Sequence, residues 1–540
     1  IAAPTIRSLE KRTPINTNIF SPLPPPPTTS SVHIYDFILN QTTLSPDGVP
    51  RTVWTVNGQY PGPMVVANVG DQIILNVTNQ LGEPSSIHSH GIVQRNTNWY
   101  DGVPGITQCP IPNGANFIYN FTVVDSGTYW YHSHFIAQYV DGLFGPIIVQ
   151  DPADPHGNLY DSEYVITLNE WYHNTTKDIL AVKMAPTYRG VNPVPDAVLI
   201  SGYGQYDCTV ASSKGKTCTS VTPATYVVQS GKRYRFRIIN TSADSHFHFS
   251  IDNHQLSLIE RYSVVINATQ PVGNYFIRAS VTQACQFKVN ASTINYDSSI
   301  NWNATGILRY EGANNTTPTS QDFPDTAPLT CDDVPDSSLI PVVANPPPQN
   351  ATQHILNITY APNSQGLGVF FINGNSFEAN FNNATLMQVT SGGVSPQSLP
   401  ANQNIISYDT ANAGIELVFV NNVHDIHPFH LVYILIYLFI IVYSRSIHGH
   451  SFYVVGRGNG TTPDQSTYNL INPPYRDTVT IPPAGWLAIR FVADNPGIWA
   501  VHCHIEWHVE MGMVATLVER LNDLKQLTVP DSVKQLCQAS

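Results

Sequence analysis

Four short stretches of this sequence concentrate histidine far beyond what 19 histidines in 540 residues would produce by chance. Two stretches lie early in the chain and two lie late. They are His88-Ser89-His90, His132-Ser133-His134, His427-Pro428-Phe429-His430, and His502-Cys503-His504 followed by His508. On a β-strand, residues i and i+2 project from the same face, so each His-X-His places two imidazoles side by side. Such pairs suit a cluster of metal ions.

The stretch His502-Cys503-His504 is the most informative, because the same alternation sends the thiolate to one side and both imidazoles to the other. One strand can therefore contact two metal sites. Two His and one Cys suit a blue, electron-transferring copper, with His427 and His508 as completing ligands. Zinc would favour four ligands with Cys or carboxylate, and no Cys-X-X-Cys spacing occurs.

The remaining imidazoles, rich in nitrogen and without sulfur, suit a copper cluster that binds oxygen. A further pair in the middle region, His246 and His248, has no partner motif. We interpret that pair as ordinary packing or surface.

The elements that must position these residues are strands. From Val32 onward, short runs of Val, Ile, Thr, Tyr and Phe alternate with Gly, Pro, Asn and Asp clusters, and helical periodicity is almost absent. This pattern indicates an all-β fold of sandwiches or barrels. Residues 64–77, 226–239 and 405–420 each carry a turn followed by an alternating strand, which indicates three related β-sandwiches.

Composition shifts divide the chain further. Pro- and Asp-rich residues 151–155 and the Asn-, Thr-, Pro- and Asp-rich stretch 313–350 mark boundaries. The predicted organisation comprises a processed or disordered segment, three domains and one linker. The bounds are 1–31 for the segment, 32–152, 153–312 and 351–540 for the domains, and 313–350 for the linker.

Charge and cysteine content restrict the partners and the compartment. The net charge of −13 argues against nucleic acid or an anionic membrane as a partner and favours a small, neutral or cationic one. Recurrent Asn-X-Ser/Thr triplets predict glycosylation and secretion. We expect any signal peptide to have been removed, and we identify no transmembrane segment. Seven cysteines allow three disulfides and leave one thiol for another task.

The four stretches resemble the copper signatures of the multicopper oxidases, specifically the laccase-like group that includes fungal laccases and ferroxidases. The matching segments are HSHG from His88, WYHSH from Trp130, HPFHL from His427 and HCHIEWH from His502. The resemblance implies three consecutive cupredoxin-like Greek-key β-sandwich domains. It also implies four copper ions, one-electron oxidation of phenols or aromatic amines, and reduction of dioxygen to water by a secreted enzyme.

Residue by residue, the resemblance implies a ligand set for each copper. His427, Cys503 and His508 would bind the type 1 copper, with Met513 as its axial neighbour; alternatively, Met513 merely packs. His88 and His430 would bind the type 2 copper. The type 3 pair would be bound by His90, His132, His134, His448, His502 and His504.

Two acids match positions to which the family assigns proton supply. These are Asp101 and Glu506, and either could instead be a hydrogen-bonded structural acid. The resemblance further implies a disulfide between Cys109 and Cys537, a local one between Cys208 and Cys218, and a third between Cys285 and Cys331.

The sequence departs from the family pattern at two places. Residues 432–447, an apolar run shorter than a membrane span, separate Leu431 from His448 in a signature that is otherwise continuous. We interpret this insert as a retained intron read in frame, the alternative being a genuine insertion. After Glu260, part of the middle domain seen in relatives is absent, which we attribute to a mispredicted exon rather than a natural deletion.

The sequence leaves three alternatives to a laccase open. Ferrous iron is the runner-up donor, and it would require acidic residues near His427 and His508. Ascorbate oxidation is another alternative, because the Met-Gly-Met segment after His508 is shared. If the insert is expressed, the chain could be an inactive copper-binding homologue. We expect a monomer.

Overall fold

The structure is a computed structural model, and most of the chain is described in it. The described residues are 18–24, 26, 31–186, 192–260, 263–281, 300–322, 336, 339, 341, 344–423, 427–429, 448–476 and 478–538, with 427–429 described for the backbone only. The insert 432–447, His430, Cys285 and Cys331 lie outside these residues, as does the side chain of His427.

The first sandwich pairs two four-stranded sheets of order β2-β1-β4-β6 and β3-β8-β7-β5. Its strands are β1 Val32–Leu44, β2 Arg51–Val56, β3 Val65–Asn68, β4 Gln72–Asn79, β5 His88–His90, β6 Asn116–Thr122, β7 Gly127–His132 and β8 Phe144–Gln150. Strand β4 alternates half-buried and buried residues, as expected for a sheet with one face in the core, whereas β8 is buried throughout.

The second sandwich has sheets of order β10-β9-β12-β15-β14 and β11-β17-β16-β13. Its elements are β9 Ser162–Trp171, α1 Thr176–Lys183, β10 Ala197–Ile200, α2 Cys208–Ser213, β11 Thr225–Val228, β12 Arg233–Asn240, β13 Phe247–Ile251, β14 Ser257–Glu260, β15 Ser263–Asn267, β16 Asn274–Val281 and β17 Asn303–Tyr310. Strands β14 and β15, on either side of the departure after Glu260, pair antiparallel with an irregular register.

The third sandwich has sheets of order β19-β18-β21-β26-β23-β24 and β20-β28-β27, with β22 and β25 forming a small third sheet. Its strands are β18 Ala351–Pro362, β19 Gly368–Ile372, β20 Ile405–Tyr408, β21 Gly414–Asn421, β22 His427–Phe429, β23 Phe452–Asn459, β24 Tyr475–Arg476, β25 Val479–Ile481, β26 Gly485–Val492, β27 Gly497–His502 and β28 Val514–Glu519. Its helices are α3 Thr385–Thr390, α4 Glu506–Glu510, α5 Leu521–Leu524 and α6 Asp531–Leu536.

The three turn-then-strand segments of the sequence occupy equivalent places in the three sandwiches. In each, the strand before the turn (β3, β11 or β20) pairs in parallel with the last strand of its own sandwich. The strand after the turn (β4, β12 or β21) lies in the opposite sheet and pairs in parallel with the first strand. The predicted all-β fold of repeated sandwiches is confirmed, while the boundaries at 152, 312 and 350 stay predictions.

The third sandwich shares hydrophobic cores with both of its neighbours. One core joins residues of the second and third sandwiches, including Phe236, Cys503 and Met513. Another joins the first and third, including Tyr119 and Val514. The first and third sandwiches, remote in sequence, are therefore packed directly against each other.

Residues 18–24 lie within the segment 1–31 that the sequence predicts to be processed or disordered, but they are packed against the fold. Ile19 and Leu23 are buried, and the Leu23 N–H donates to the carbonyl of Glu163 on β9. The side chain of Gln150 donates to the carbonyl of Pro24. The side chains of Ile19 and Leu23 anchor residues 18–24, which therefore belong to the folded part of the chain.

Two predicted disulfides are present. Cys109 is bonded to Cys537, which ties the end of α6 to the first sandwich, and Cys208 is bonded to Cys218. The third predicted pair lies outside the described residues. Within the described ranges we find no helix with the length and hydropathy that crossing a bilayer requires.

Candidate metal centre

Strands β5 and β7 bring the first two histidine stretches together. They pair antiparallel, with His88 opposite His132 and His90 opposite Trp130. The ring centroids of His88 and His132 lie 5.3 Å apart, and Trp130 stacks on His132 at 4.2 Å. This antiparallel pairing of two strands that β6 separates in sequence therefore positions the early histidines.

The late histidines reach the same place because the first and third sandwiches dock. The side-chain amide of Asn98 donates to the carbonyl of Ile498 at 2.7 Å, and the Ile498 N–H donates to its oxygen at 3.0 Å. Asn98 is fully buried. This pair of bonds holds the start of β27 against the first sandwich, and β27 ends at His502.

The imidazoles converge at this docking surface in two groups. In one, Nε2 of His502 lies 3.1 Å from Nε2 of His448 and 3.4 Å from Nε2 of His134. In the other, Nδ1 of His90 lies 3.2 Å from Nε2 of His132, and the ring of His504 lies 5.2 Å from that of His90. His88 lies between the groups, 4.2 Å from the ring of His448 and 5.5 Å from that of His90.

Several of these rings have Nδ1 engaged by an oxygen, which leaves Nε2 directed at the cluster. The oxygens are the carbonyl of Ser133 for His132, that of Cys503 for His502, and a carboxylate oxygen of Asp101 for His448. When Nδ1 carries the proton in such a contact, the lone pair of Nε2 is available to a metal.

The cluster is buried and favours neutral imidazole. Burial, followed by the charge of His448, lowers the pKa of His502 to about 3. Burial and neighbouring histidines lower the pKa of His132, His134 and His504 well below the usual value. Neutral imidazole is the form that binds metals.

Asp101 is the acid nearest the cluster. It is fully buried, and its carboxylate lies 2.7 Å from Nδ1 of His448 and 3.4 Å from Nδ1 of His88. Burial acts to raise the pKa of Asp101, but the charges of His448 and His88 outweigh burial and lower it. Asp101 therefore acts as an ionised acceptor that orients two histidines.

Cys503 lies on the far side of the strand, as the alternation predicts. The thiol is buried, and its sulfur lies 3.6 Å from Nδ1 of His508. Met513 is also buried in this core, and its N–H donates to the carbonyl of His508. The backbone of His427 pairs with Ile481, whereas its side chain and all of His430 lie outside the described residues.

The other edge of His508 meets polar residues of the second sandwich. Nδ2 of Asn192 lies 3.2 Å from Nε2 of His508 and also contacts the carboxylate of Asp244 at 3.0 Å. The ammonium of Lys183 donates to the Asn192 side-chain oxygen at 3.1 Å. Sequence reasoning missed this trio, because no spacing in the sequence links α1, Asn192 and Asp244 to a motif 300 residues away.

Glu506 and Glu510 form a second acidic feature on α4. Burial first, then the neighbouring Glu510, raises the pKa of Glu506 well above its usual value, and a hydrogen bond from Tyr139 partly offsets the rise. Burial raises the pKa of Glu510 to about 7. The Tyr139 ring lies 5.0 Å from the ring of His132, so Tyr139 stands between Glu506 and the cluster.

The donor set fits copper. Among the described residues, the groups able to hold a metal ion are His88 with His90 and His132, His134 with His448 and His502, and His88 with Asp101 and His448. Imidazole-rich sites beside a thiolate–imidazole pair suit copper better than zinc. His246, which is buried, and His248 belong to none of these groups.

Comparison with known proteins gives the family. Multicopper oxidase sequence profiles match residues 39–154, 162–313 and 447–523. The chain is 36% identical over 510 residues to Laccase-1 of Botryotinia fuckeliana, covering 90% of this chain and 82% of the relative. It is 37% identical to Laccase-1 of Trametes villosa, covering 93% of each. The chain belongs to the multicopper oxidase family.

A solved structure agrees with this assignment. The laccase of Botrytis aclada superposes on this multicopper oxidase with a TM-score of 0.79 at 31% identity, covering 99% of this chain and 95% of that one. The predicted cupredoxin-like fold, the use of copper and the laccase-type oxidoreductase activity with dioxygen as acceptor are confirmed. The third profile match begins at residue 447, the last residue of the insert.

Proposed function

We propose that this multicopper oxidase binds four copper ions and oxidises small phenols or aromatic amines one electron at a time. The observation that carries the proposal is the convergence of histidines from the first and third sandwiches beside a buried Cys503–His508 pair. Bound copper supplies one-electron redox chemistry at the cysteine site and dioxygen reduction at the histidine cluster.

The described residues support a division of the ligands into sets. His90, His132 and His504 would hold one type 3 copper, and His134, His448 and His502 the other. His88 would hold the type 2 copper together with His430. Cys503, His508 and His427 would hold the type 1 copper, with Met513 as its axial neighbour.

The strand end at His502-Cys503-His504 joins the two sites covalently. Cys503 belongs to the thiolate site, while His502 and His504 face the cluster, so a single tripeptide connects donor oxidation with oxygen reduction. In proton supply, Glu506, which its raised pKa keeps protonated, would donate through Tyr139, whereas ionised Asp101 beside His448 would accept protons and pass them on. These roles follow from position and from the acid–base capacity of the groups.

The Nε2 edge of His508 is where an organic donor would approach. Asn192 and Asp244 offer a neutral amide and a carboxylate at this edge, and both can accept a hydrogen bond from a phenol or an aromatic amine. The amide of Asn192 contacts Nε2 of His508, and the Asp244 carboxylate lies one hydrogen bond behind that amide. A neutral group against His508 suits an uncharged organic donor, and we therefore place phenols and aromatic amines ahead of Fe(II).

We further propose that the enzyme is secreted and glycosylated, in keeping with its acceptor triplets and with the two disulfides among the described residues. We also propose that it is a monomer.

The test is copper loading followed by parallel assays with a phenol and with Fe(II). We expect about four coppers per chain and a blue absorption band from the Cys503 site. The phenol should be the better donor by kcat/KM. A chain that binds one copper or none after loading would refute the oxidase and favour the inactive homologue, and faster oxidation of Fe(II) would refute the donor assignment.

A further inference from the structure

His448 stands directly after the insert, yet it lies within the cluster. Sixteen residues separate it from Leu431, where the related signature is continuous. Its Nε2 is nevertheless 3.1 Å from Nε2 of His502. The described contacts of His448 come from Ala500 and His502 downstream and from Asp101 across the interface.

Hydrogen bonds and close packing hold His448 and Gly449 in place. The His448 N–H donates to the carbonyl of Ala500 on β27 at 3.2 Å. Gly449 has a φ of +81°, and a Cβ there would lie 2.7 Å from the ring of Trp499, so only glycine fits. The side chain of Asn495 donates to the Gly449 carbonyl at 3.1 Å and to that of Val93, in the loop after His90, at 2.8 Å.

Glu519 organises these contacts. It is fully buried near the end of β28, and one of its oxygens accepts the Asn495 N–H at 2.8 Å. The other lies 3.0 Å from Nε2 of His450 and accepts a hydrogen bond from the Tyr408 hydroxyl at 3.3 Å. One carboxylate thus contacts both Asn495, which binds the Gly449 carbonyl, and His450, which follows Gly449 in the chain.

We propose that Glu519 is a positioning residue that holds His448 in the copper cluster by acting through Asn495 and His450. The inference rests on the proposed function. None of these contacts comes from residues 432–447, so this clamp of Glu519, Asn495 and His450 places His448 without using the insert. Asn495 also contacts Val93, so the same clamp aligns the early and late histidine stretches.

The first arm of the test uses the metal-free full-length chain and measures amide hydrogen exchange at His448. Glu519→Ala should speed this exchange by about tenfold, because a buried hydrogen-bonded carboxylate is removed. Glu519→Gln keeps an oxygen for the Asn495 N–H and should restore most of the protection. The matched control is Glu416→Ala, which removes a buried carboxylate paired with Arg490 in the same sandwich at 2.6 Å.

The second arm loads copper and compares spectra. Glu519→Ala should lose copper from the histidine cluster, with affinity there reduced about 10- to 100-fold, while the blue Cys503 band persists. Glu416→Ala should keep both. Asn495→Ala removes only the side-chain bonds to Gly449 and Val93. If Glu519→Ala does not fold, the spectra of Asn495→Ala are compared with those of Glu416→Ala instead.

The hydrogen-exchange and copper-loading experiments distinguish failure of the positioning role of Glu519 from failure of the proposed oxidase function. Unchanged His448 exchange in both Glu519→Ala and Asn495→Ala would overturn the positioning role even if the wild-type chain oxidises phenols. Faster exchange in these variants, in a wild-type background that takes up no cluster copper, would support the clamp and defeat the proposed function.

Discussion

Nδ1 of His448 lies 2.7 Å from a carboxylate oxygen of Asp101, although 347 positions separate the two residues in the chain. The same Asp101 also contacts His88. A single buried carboxylate therefore orients one histidine from the first sandwich and one from the third. This contact makes the cluster depend on the docking of the two sandwiches.

Replacing Asp101 by Asn should weaken the cluster. The amide cannot provide the negative charge that now faces His448 and His88, and outer ligand partners of this kind typically contribute about 10- to 100-fold in metal affinity or activity. We expect cluster copper and phenol kcat to fall at least about tenfold. Asp71→Asn, another fully buried acid that accepts backbone bonds at Ser31 and Asn68, is the control. Full copper content in D101N would contradict the assignment.

Replacing Cys503 by Ser should remove the blue band and one copper while sparing the histidine cluster. A serine oxygen is a poor ligand for copper compared with thiolate. Visible absorption and copper content per chain measure the two effects separately. The double variant Cys208→Ser/Cys218→Ser, which changes cysteines away from Cys503, should remain blue. A blue C503S protein would show that the thiolate site lies elsewhere.

Asn192→Asp tests how His508 selects its donor. A carboxylate at this edge attracts cations and repels anions, so the ratio of kcat/KM for Fe(II) to that for a phenol should rise several-fold. Asn380→Asp is the control for charge, since Asn380 is exposed and its oxygen already accepts the N–H groups of Asn382 and Asn383. An equal ratio in both variants would exclude Asn192 from donor selection.

We expect the ion pairs of His173, away from the copper site, to stabilise the fold in a pH-dependent way. Its ring lies 2.7 Å from Asp47 of the first sandwich and 3.3 Å from Asp196 of the second, beside the ring of Tyr206. Burial acts to lower the pKa of His173, but the hydrogen bonds to Asp196 and Asp47 outweigh it and raise the pKa above 6.5. A raised folded-state pKa stabilises the fold at low pH and ceases to do so as pH rises through it.

Below pH 6.5 the free energy of unfolding of the wild-type protein should therefore be about 2 kcal/mol larger than that of the His173→Gln variant. The difference should shrink as the pH rises past that value. Thermal or urea unfolding of both proteins across this range measures it. A difference that stays constant with pH would show that the ring is not protonated in the fold.

The disulfide between Cys109 and Cys537 should matter more for stability than the local one. Its partners are 428 positions apart, against 10 for Cys208 and Cys218. Longer closed loops restrict the unfolded chain more, so Cys109→Ser/Cys537→Ser should cost roughly 2–5 kcal/mol and exceed the loss in Cys208→Ser/Cys218→Ser. Comparison of the two unfolding midpoints checks this order, and an equal or reversed order would contradict it.

The sequence by itself determined the local geometry of the site. Period-2 alternation is a property of any strand, so His502-Cys503-His504 had to divide between two faces, and His88 and His90 had to lie near each other. The alternation of β4 and the repeated turn-then-strand segments likewise followed from residue order. The copper chemistry followed from donor types alone.

Only the tertiary structure decided which distant groups meet. The contacts of Asp101 with His448, Asn98 with Ile498, Asn192 with His508 and Glu519 with His450 join residues whose spacing in the chain carries no signal. The burial of Ile19 and Leu23 also depended on a surface supplied by other strands. Such contacts depend on how apolar faces of whole sandwiches pack, which is a collective property of many side chains and cannot be read from a short motif.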